Sequence, residues 1–351
     1  MLSTPRHIVF ITPGFARDET DTISVPYLQV YFKALQNQGS KISIITLHYP
    51  STNTVYKWNN CDVYSFAKYA KWQKPLLWIK AIKTIIRINS TEPISNIHSF
   101  WLGECALVGH WAAKIIRVKH LNTLMGQDVL QGNKFCKILP IKKMNLVTLS
   151  PFHQQVFLKN YQIETPIVFF GVNKSDVKIQ VAKSIDFIGV GSLIPIKNYS
   201  LFIDVIHEIN KTIPVSAIII GEGEEFDILA KKIKDLNPDP SGDNVIKLLG
   251  LLNNEQVLGY LAQSKILLHT SNHEGFGMIF AEALQQETMV VSTPVGSIFE
   301  SPNVMLANNK SDLVKSCQTM LTKTFDPNFP NPFDIEKTIE NYNYYYKDFK
   351  Q

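Results

Sequence analysis

The chain has 351 residues, of which 45% are hydrophobic, with 35 Lys and Arg against 30 Asp and Glu for a net charge of +5. That is the composition of a soluble globular protein with length for two domains, each burying its own core. Apolar runs break well short of the ~20 residues that span a bilayer, the charge is mild, and no nucleic-acid partner is expected. Cys61, Cys105, Cys136 and Cys317 share no paired spacing, so neither a disulfide framework nor a zinc site is expected. Met1 to His7 leads straight into a strand and not into a secretory apolar segment, which predicts a cytoplasmic protein.

The first predicted strand, 7–11, ends at Thr12-Pro13-Gly14-Phe15, and a loop with Asp18, Glu19 and Asp21 precedes a helix over 26–36 that Gly39 closes. A strand over 42–47 completes a strand–helix–strand unit, hence a parallel sheet. Gly14 stands at the ligand edge of such a sheet. No Gly-x-Gly-x-x-Gly follows it, which disfavours a dinucleotide cofactor. Between 50 and 92, Trp58, Trp72 and Trp78 punctuate Lys-rich segments. Here 76–88 has the spacing of a basic amphipathic helix, which either covers the sheet with its lysines outward or lies on a membrane surface. The block 94–104, containing His98, Trp101 and Glu104, runs into an apolar helix reaching about Arg117. A strand over 122–124 then meets the turn Met125-Gly126-Gln127-Asp128. After a strand over 145–149, Ser150 and Pro151 suit the cap and first position of a helix over 152–159.

In the second half, a strand from Asp186 ends in Gly191-Ser192-Leu193, and Lys197 stands beside a helix over 199–209. A strand over 215–220 ends at Gly221-Glu222-Gly223, followed by a helix through Ile228 and Ile233 and a loop over 237–244. A strand over 245–249 reaches Gly250 before a helix over 255–263. The tail is aromatic, and helical spacing puts Tyr342, Tyr345 and Phe349 on one side.

The stretch from Ser271 to Pro294 carries the chemistry. An apolar strand, 266–269, feeds a turn with Glu274, Gly275, Phe276 and Gly277, and a helix opens near Met278 and Ile279. Glycines admit a ligand close to the backbone, and the first helical amides favour an anion. Glu274 and Glu282 flank that point, and a carboxylate only accepts hydrogen bonds, so hydroxyls are its natural partners. Sugar on both sides of a diphosphate, a nucleotide sugar, fits. With seven residues between the two acids, Glu-Gly-Phe-Gly and Ala-Glu-Ala-Leu resemble the signature of retaining glycosyltransferase family 4.

The resemblance implies an α/β GT-B fold: two Rossmann-like parallel-sheet domains facing across a cleft, with a C-terminal helix crossing back to the first. Expected bounds are 1–168, 169–329 and 330–351, and residues 165–173 resemble the strand and turn by which the family passes into its second domain, where the hinge is expected. It further implies that Glu274 contacts the donor sugar and Glu282 the ribose, while Gly14, Gly221 and the 275–279 backbone surround the donor. Residues 191–198 resemble the family's Gly-Arg-Leu-x-x-x-Lys-Gly loop, with Lys197 kept as a diphosphate ligand, Ser192 in place of the Arg and Asn198 in place of the last Gly. His98 matches a family strand end, Gly126 and Asp128 match a His-Gly-x-Asp turn whose His is Met125 here, and His98, Trp101, Glu104 and Asp128 form the expected acceptor side. The expected activity is metal-independent retaining transfer from a nucleoside diphosphate sugar, a co-substrate and not a cofactor, to a saccharide or lipid-linked saccharide in cell-surface polysaccharide synthesis. Glu274, Lys197 and His98 are the expected catalytic residues, and contact with the inner membrane face is a further expectation. The alternatives are a non-catalytic sugar-nucleotide-binding partner of another transferase and a nucleotide-sugar 2-epimerase.

Overall fold

The computed structural model describes residues 6–173, 179–236, 245–329 and 331–348. The predicted loop 237–244, the first five residues and Phe349 lie outside them. The chain divides into two units, one built from residues up to Asn173 and from Asp334 onward, the other from the segment between. Both are α/β.

The first unit holds β1 (His7–Gly14), β2 (Lys41–Tyr49), β3 (Val55–Trp58), β4 (Cys61–Ser65), β5 (Asn96–Phe100), β6 (Lys119–Thr123) and β7 (Asn145–Val147). Their order is β3-β4-β2-β1-β5-β6-β7. All pairs are parallel except β3 with β4. The continuous apolar runs of β1 and β2 are the mark of central strands covered on both faces. Helices α1 (Pro26–Asn37), α2 (Lys74–Thr91), α3 (Glu104–Ile116), α4 (Phe135–Ile138) and α5 (Pro151–Tyr161) connect them. Proline opens α1 and Gly39 follows it in the left-handed region at φ 83°, while the Ser150 side chain caps α5 by accepting from the His153 amide at 3.1 Å. Leu77, Ala81, Ile85 and Ile88 form the buried stripe of α2.

The second unit holds β8 (Ile185–Val190), β9 (Ala217–Ile220), β10 (Ile246–Leu248), β11 (Ser264–His269), β12 (Met289–Ser292) and β13 (Val304–Leu306), in the order β10-β9-β8-β11-β12-β13, all parallel. Its helices are α6 (Tyr199–Asn210), α7 (Phe226–Leu236), α8 (Asn254–Gln263), α9 (Met278–Gln285) and α10 (Lys310–Leu321). Leaving out the short antiparallel β3, both sheets run 3-2-1-4-5-6 in their own chain order, the Rossmann arrangement. Strand order reverses between β1 and β5 in one unit and between β8 and β11 in the other. Loops diverge at those points, so the carboxyl ends of these four strands border each unit's natural crevice.

Three expectations need correction. Segment 165–170 forms no strand; only isolated bridges, Thr148 to Ile167 and Val172 to Asp334, pair this region. The hairpin of β3 and β4 was not read from the sequence, although it buries Trp58 completely. In the terminal helix, α11 (Ile335–Asp348), Tyr346 and not Tyr345 shares the buried face with Tyr342. The Tyr346 hydroxyl meets the Tyr31 hydroxyl at 2.9 Å and His98 Nδ1 at 2.7 Å, and the Tyr342 hydroxyl meets Thr123 Oγ1 at 3.0 Å, so α11 completes the first unit.

Residues 169–173 stay with the first unit because the returning chain pairs with them. The Ile335 amide donates to the Val172 carbonyl at 3.2 Å and Thr338 Oγ1 to the Phe169 carbonyl at 2.9 Å. Backbone meets backbone here: a Cβ on Gly171 would lie 2.2 Å from the carbonyl carbon of Asp334 and 2.4 Å from the Ile335 nitrogen. Gly171→Ala should therefore cost about 1–3 kcal/mol in urea unfolding, as overpacking does. An unchanged midpoint would refute this account of how α11 is seated.

Candidate functional site

In the second unit the switch point is built from three stitched turns. After β8, Pro195–Lys197 forms a short 3-10 turn. The Asn272 amide donates to the Ile196 carbonyl at 2.8 Å and Thr270 Oγ1 to the Asn198 carbonyl at 3.0 Å, fastening that turn to the loop after β11. The Lys197 ammonium then reaches the Glu274 carboxylate as a direct ion pair, both side chains mostly buried. His269 Nε2 lies 3.7 Å from the same carboxylate and contacts the Ser271 hydroxyl, while its Nδ1 contacts the Ser292 hydroxyl. Burial pushes the Glu274 carboxyl up, but the His269 contact and the Lys197 charge outweigh it and hold the group at about 2. Burial lowers His269 below its ordinary value, so it stands neutral beside the pair at pH 7.

Gly277 precedes α9 at φ 84°, and no side chain caps the helix. A Cβ there would lie 2.5 Å from the Phe280 ring. Phe276 is buried, its carbonyl held by the Ser297 amide and hydroxyl at 2.9 and 2.8 Å, while Met278 and Ile279 open the helix half-buried. Gly275 lies between Glu274 and Phe276 and is buried. Gly221, at φ 150°, is pressed against the Gly191 carbonyl, 1.9 Å from where a Cβ would sit, so the turns after β8 and β9 touch through backbone alone. Ser192 is exposed on the first of these turns.

Glu282 sits on α9 beside the start of α8, where Asn254 Nδ2 donates to its carboxylate at 3.3 Å. Burial dominates here and raises the carboxyl from 4.5 to about 7. Two acids, one in the loop before α9 and one on the helix, thus have opposite character. Glu274 is a fixed anion with a cation at hand; Glu282 is a carboxyl poised near neutrality with one weak donor.

In the first unit the expected acceptor-side residues separate. His98 must be withdrawn as a catalytic or acceptor-side residue. It is wholly buried, with Nδ1 on Tyr346 and Nε2 on Thr123 Oγ1 at 2.8 Å, and burial drives its pKa well down. Gly14 ends β1 against Tyr49, where a Cβ would come within 3.2 Å of the Tyr49 Cβ. Trp101 follows β5 in the left-handed region at φ 65°, a genuine outlier for a bulky residue and a mark of a constrained site. Asp128 accepts from the amides of Leu102 at 2.8 Å, Met125 at 3.1 Å and Gly126 at 2.7 Å, so it ties two turns together and positions Trp101 indirectly. Glu104 takes hydrogen bonds from Lys74 and from Trp78 Nε1 at 2.8 Å, with His48 Nε2 at 3.6 Å. Against the effect of burial, these hold its carboxyl at about 2.

Sequence reasoning missed His269, Asn254 and Gly296. The last, at φ 68°, leaves 2.5 Å between a would-be Cβ and the Phe276 carbonyl and 3.2 Å to Glu274 Cγ. Its signal was a glycine two residues after Pro294, past a strand end. Asn254 carried no signal, being an ordinary polar residue at a helix start. Among the described residues, no group of three His, Cys, Asp or Glu is placed to hold a metal ion.

The family model for glycosyl transferases group 1 matches residues 173–303, and that for glycosyl transferase 4-like proteins matches 21–155. The first match falls almost wholly within the second unit and the second within the first, so both units resemble glycosyltransferase domains. It is similar to an uncharacterized glycosyltransferase of Methanocaldococcus jannaschii, 24% identical over 91% of this chain and 94% of that one. It also resembles the N-acetyl-alpha-D-glucosaminyl L-malate synthase of Bacillus anthracis, 23% identical over 76% of this chain and 74% of that one. Anabaena HepE, solved in complex with UDP and glucose, shares the fold at a TM-score of 0.70, with 15% identity over 96% of this chain and 98% of that one. GT-B glycosyltransferases are thus its structural neighbours.

Asn198 in place of the family's loop Gly has a physical reason. The position is left-handed, φ 53°, where asparagine is among the few residues tolerated. The acids predict a pH signature. A carboxyl raised from 4.5 to about 7 costs stability that begins to be lost above pH 4.5 and is fully lost above 7, because the native state retains a proton the unfolded chain gives up. Glu282→Gln should therefore stabilise the protein at pH 8 by about 2 kcal/mol, and the gain should vanish near pH 4. Thermal unfolding across that range checks it; a gain independent of pH would contradict a raised carboxyl.

Proposed function

We propose that the protein is a group 1 glycosyltransferase that transfers a sugar, with retention, from a nucleoside diphosphate sugar to a hydroxyl of a saccharide or lipid-linked saccharide, in the cytoplasm and in the service of cell-surface polysaccharide synthesis. The observation that carries the reading is the Lys197–Glu274 pair beside the uncapped start of α9 at the strand-order reversal. A diphosphate resting over that helix start would meet the Lys197 ammonium and the first helical amides, which are aimed at the charge that grows on the departing phosphate. Glu274, ionised and fixed, has lone pairs to accept from hydroxyls of the donor sugar and to hold its anomeric carbon in line. Glu282, beside Asn254, is the group for the ribose hydroxyls. A departing phosphate can take the acceptor proton on the face it leaves, so the reading needs no protein nucleophile and no metal. A UDP-sugar is the first donor to test, since a neighbour in fold was solved with UDP and glucose.

Ser192 gives one specific reason for a second reading, a sugar-nucleotide-binding subunit without turnover. It offers a hydroxyl where the family places a second cation, and it is exposed.

Thermal shift against UDP, GDP and their sugars identifies the nucleotide, because a ligand that binds only the native state raises the melting temperature. With the donor found, Glu274→Gln and Lys197→Ala should each lower kcat for transfer by about 10²–10³, the scale of losing one preorganised electrostatic contact. Lys197→Ala should also weaken nucleotide binding. Transfer at near wild-type rate in Glu274→Gln would overturn the mechanism, and donor binding without hydrolysis or transfer would favour the second reading.

A further inference from the structure

We propose that the exposed face running from Trp72 along α2 is a docking surface for an anionic lipid bilayer. The buried stripe of α2 is filled by the core of its own unit, so its other side is free of that duty. On that side Trp72 is 79% exposed, Leu76 57% and Ile79 51%, and Trp72 is the most exposed large hydrophobic side chain among the described residues. At 3.6 residues per turn, Leu76, Ile79, Lys83 and Arg87 fall on one line along the helix, and Trp72 continues it at the N-terminal end. Apolar groups therefore lead and cations follow on a single stripe.

The charge around the stripe is one-sided. From Val63 to Gln127 the chain carries only two acidic residues, Glu92 and Glu104. Both are used internally: Glu92 pairs with Lys41, and Glu104 sits between Lys74 and Trp78. Lys71, Lys83 and Arg87 remain exposed, and none is in an ion pair among the described residues. On α3, which packs beside α2, Trp111 and Ile115 are also exposed, with the Lys114 ammonium 5.2 Å over the Trp111 ring.

This chemistry selects a bilayer over an acidic protein. A protein partner would supply carboxylates to the cations and pockets matched to the ring, whereas here three exposed apolar side chains of different shape lie along one stripe. An interface of acyl chains under anionic head groups takes such a trio without shape matching, and Trp favours the boundary between them. The cations next to it gain from anionic head groups and would gain little from zwitterionic ones. No described helix is long and apolar enough to cross a membrane, so the contact is with the surface.

The test is co-sedimentation of the full chain with vesicles of phosphatidylcholine alone and of phosphatidylcholine mixed with phosphatidylglycerol. Binding is expected only to the mixed vesicles, and it should weaken as salt is raised. Replacing the three apolar residues together (Trp72→Ser, Leu76→Ser, Ile79→Ser) should lower the vesicle partition coefficient at least about tenfold. The pair Lys83→Glu, Arg87→Glu should lower it to a similar degree. All five positions are exposed, so melting temperatures should match wild type. The difference in Trp emission between wild type and Trp72→Phe should shift to the blue on adding mixed vesicles. Wild-type protein left in the supernatant, or a triple variant that partitions like wild type, overturns the proposal. The donor reading stands apart from it, since none of these residues belongs to the Lys197–Glu274 site.

Discussion

The second unit depends on holding one lysine against one glutamate where the strand order turns back. Lys197 comes from the turn after β8 and Glu274 from the loop after β11, separated by 77 positions in the chain. Taking two charges out of water is costly, and the attraction between them repays it only where geometry is tight. The geometry is tight because backbone does the fastening: Asn272 to Ile196, Thr270 to Asn198, and Ser297 to Phe276. Gly221 and Gly296 stand where a Cβ would collide with the backbone of a neighbouring loop, so those loops close on each other without side chains between them. The pair is thus held on a frame fastened by backbone, the kind of preorganisation that electrostatic catalysis requires.

The first unit solves a different problem at its own reversal point. Its central polar residues are turned inward and spent on one another. His98, Thr123, Tyr342, Tyr346 and Tyr31 form a buried chain of hydrogen bonds that joins the central sheet, α1 and the returning α11. A buried network of this sort is worth having only when its members are satisfied, and both ring nitrogens of His98 are. Its imidazole fixes where α11 docks. Past the strand ends stand the half-buried Gly14 and the strained Trp101, with Asp128 holding the latter's turn in place.

Much of this was legible in the residues. Continuous apolar runs gave the parallel strands, and the alternation of strand and helix gave two units of one kind. The Glu-Gly-Phe-Gly turn located the site because glycine and carboxylate at a helix start have few other uses. What stayed hidden was decided by tertiary contact. β3 is an edge strand of only four residues, Val55-Tyr56-Lys57-Trp58, of which Trp58 alone is buried, so too short a pattern was left to read. Tyr345 and Tyr346 are neighbours on a helix, and which one turns inward depends on a rotation that spacing from Tyr342 leaves open, three residues or four. His98 looked functional because it lies near a strand's carboxyl end. Its partner is a hydroxyl 248 positions away, invisible to any local pattern. The low carboxyl of Glu104 and the high one of Glu282 likewise follow from neighbours and burial, not from residue type.

Charge bears on both the Lys197–Glu274 site and the outer face of α2. A net +5 spread evenly would do little, but the acids are not spread evenly. Between Val63 and Gln127 the two glutamates are each cancelled by a lysine, while exposed cations on the same stretch are left uncompensated. Such a surface attracts anions of any kind from a distance set by the Debye length, and specificity must come from what lies beneath the charge. At Lys197 what lies beneath is a carboxylate, a helix start and tight backbone, which suits a diphosphate with hydroxyls on either side. Along α2 it is three protruding apolar side chains, which suit a surface and not a small solute. One attraction, two undersides: the shape under the cation decides which anion can stay.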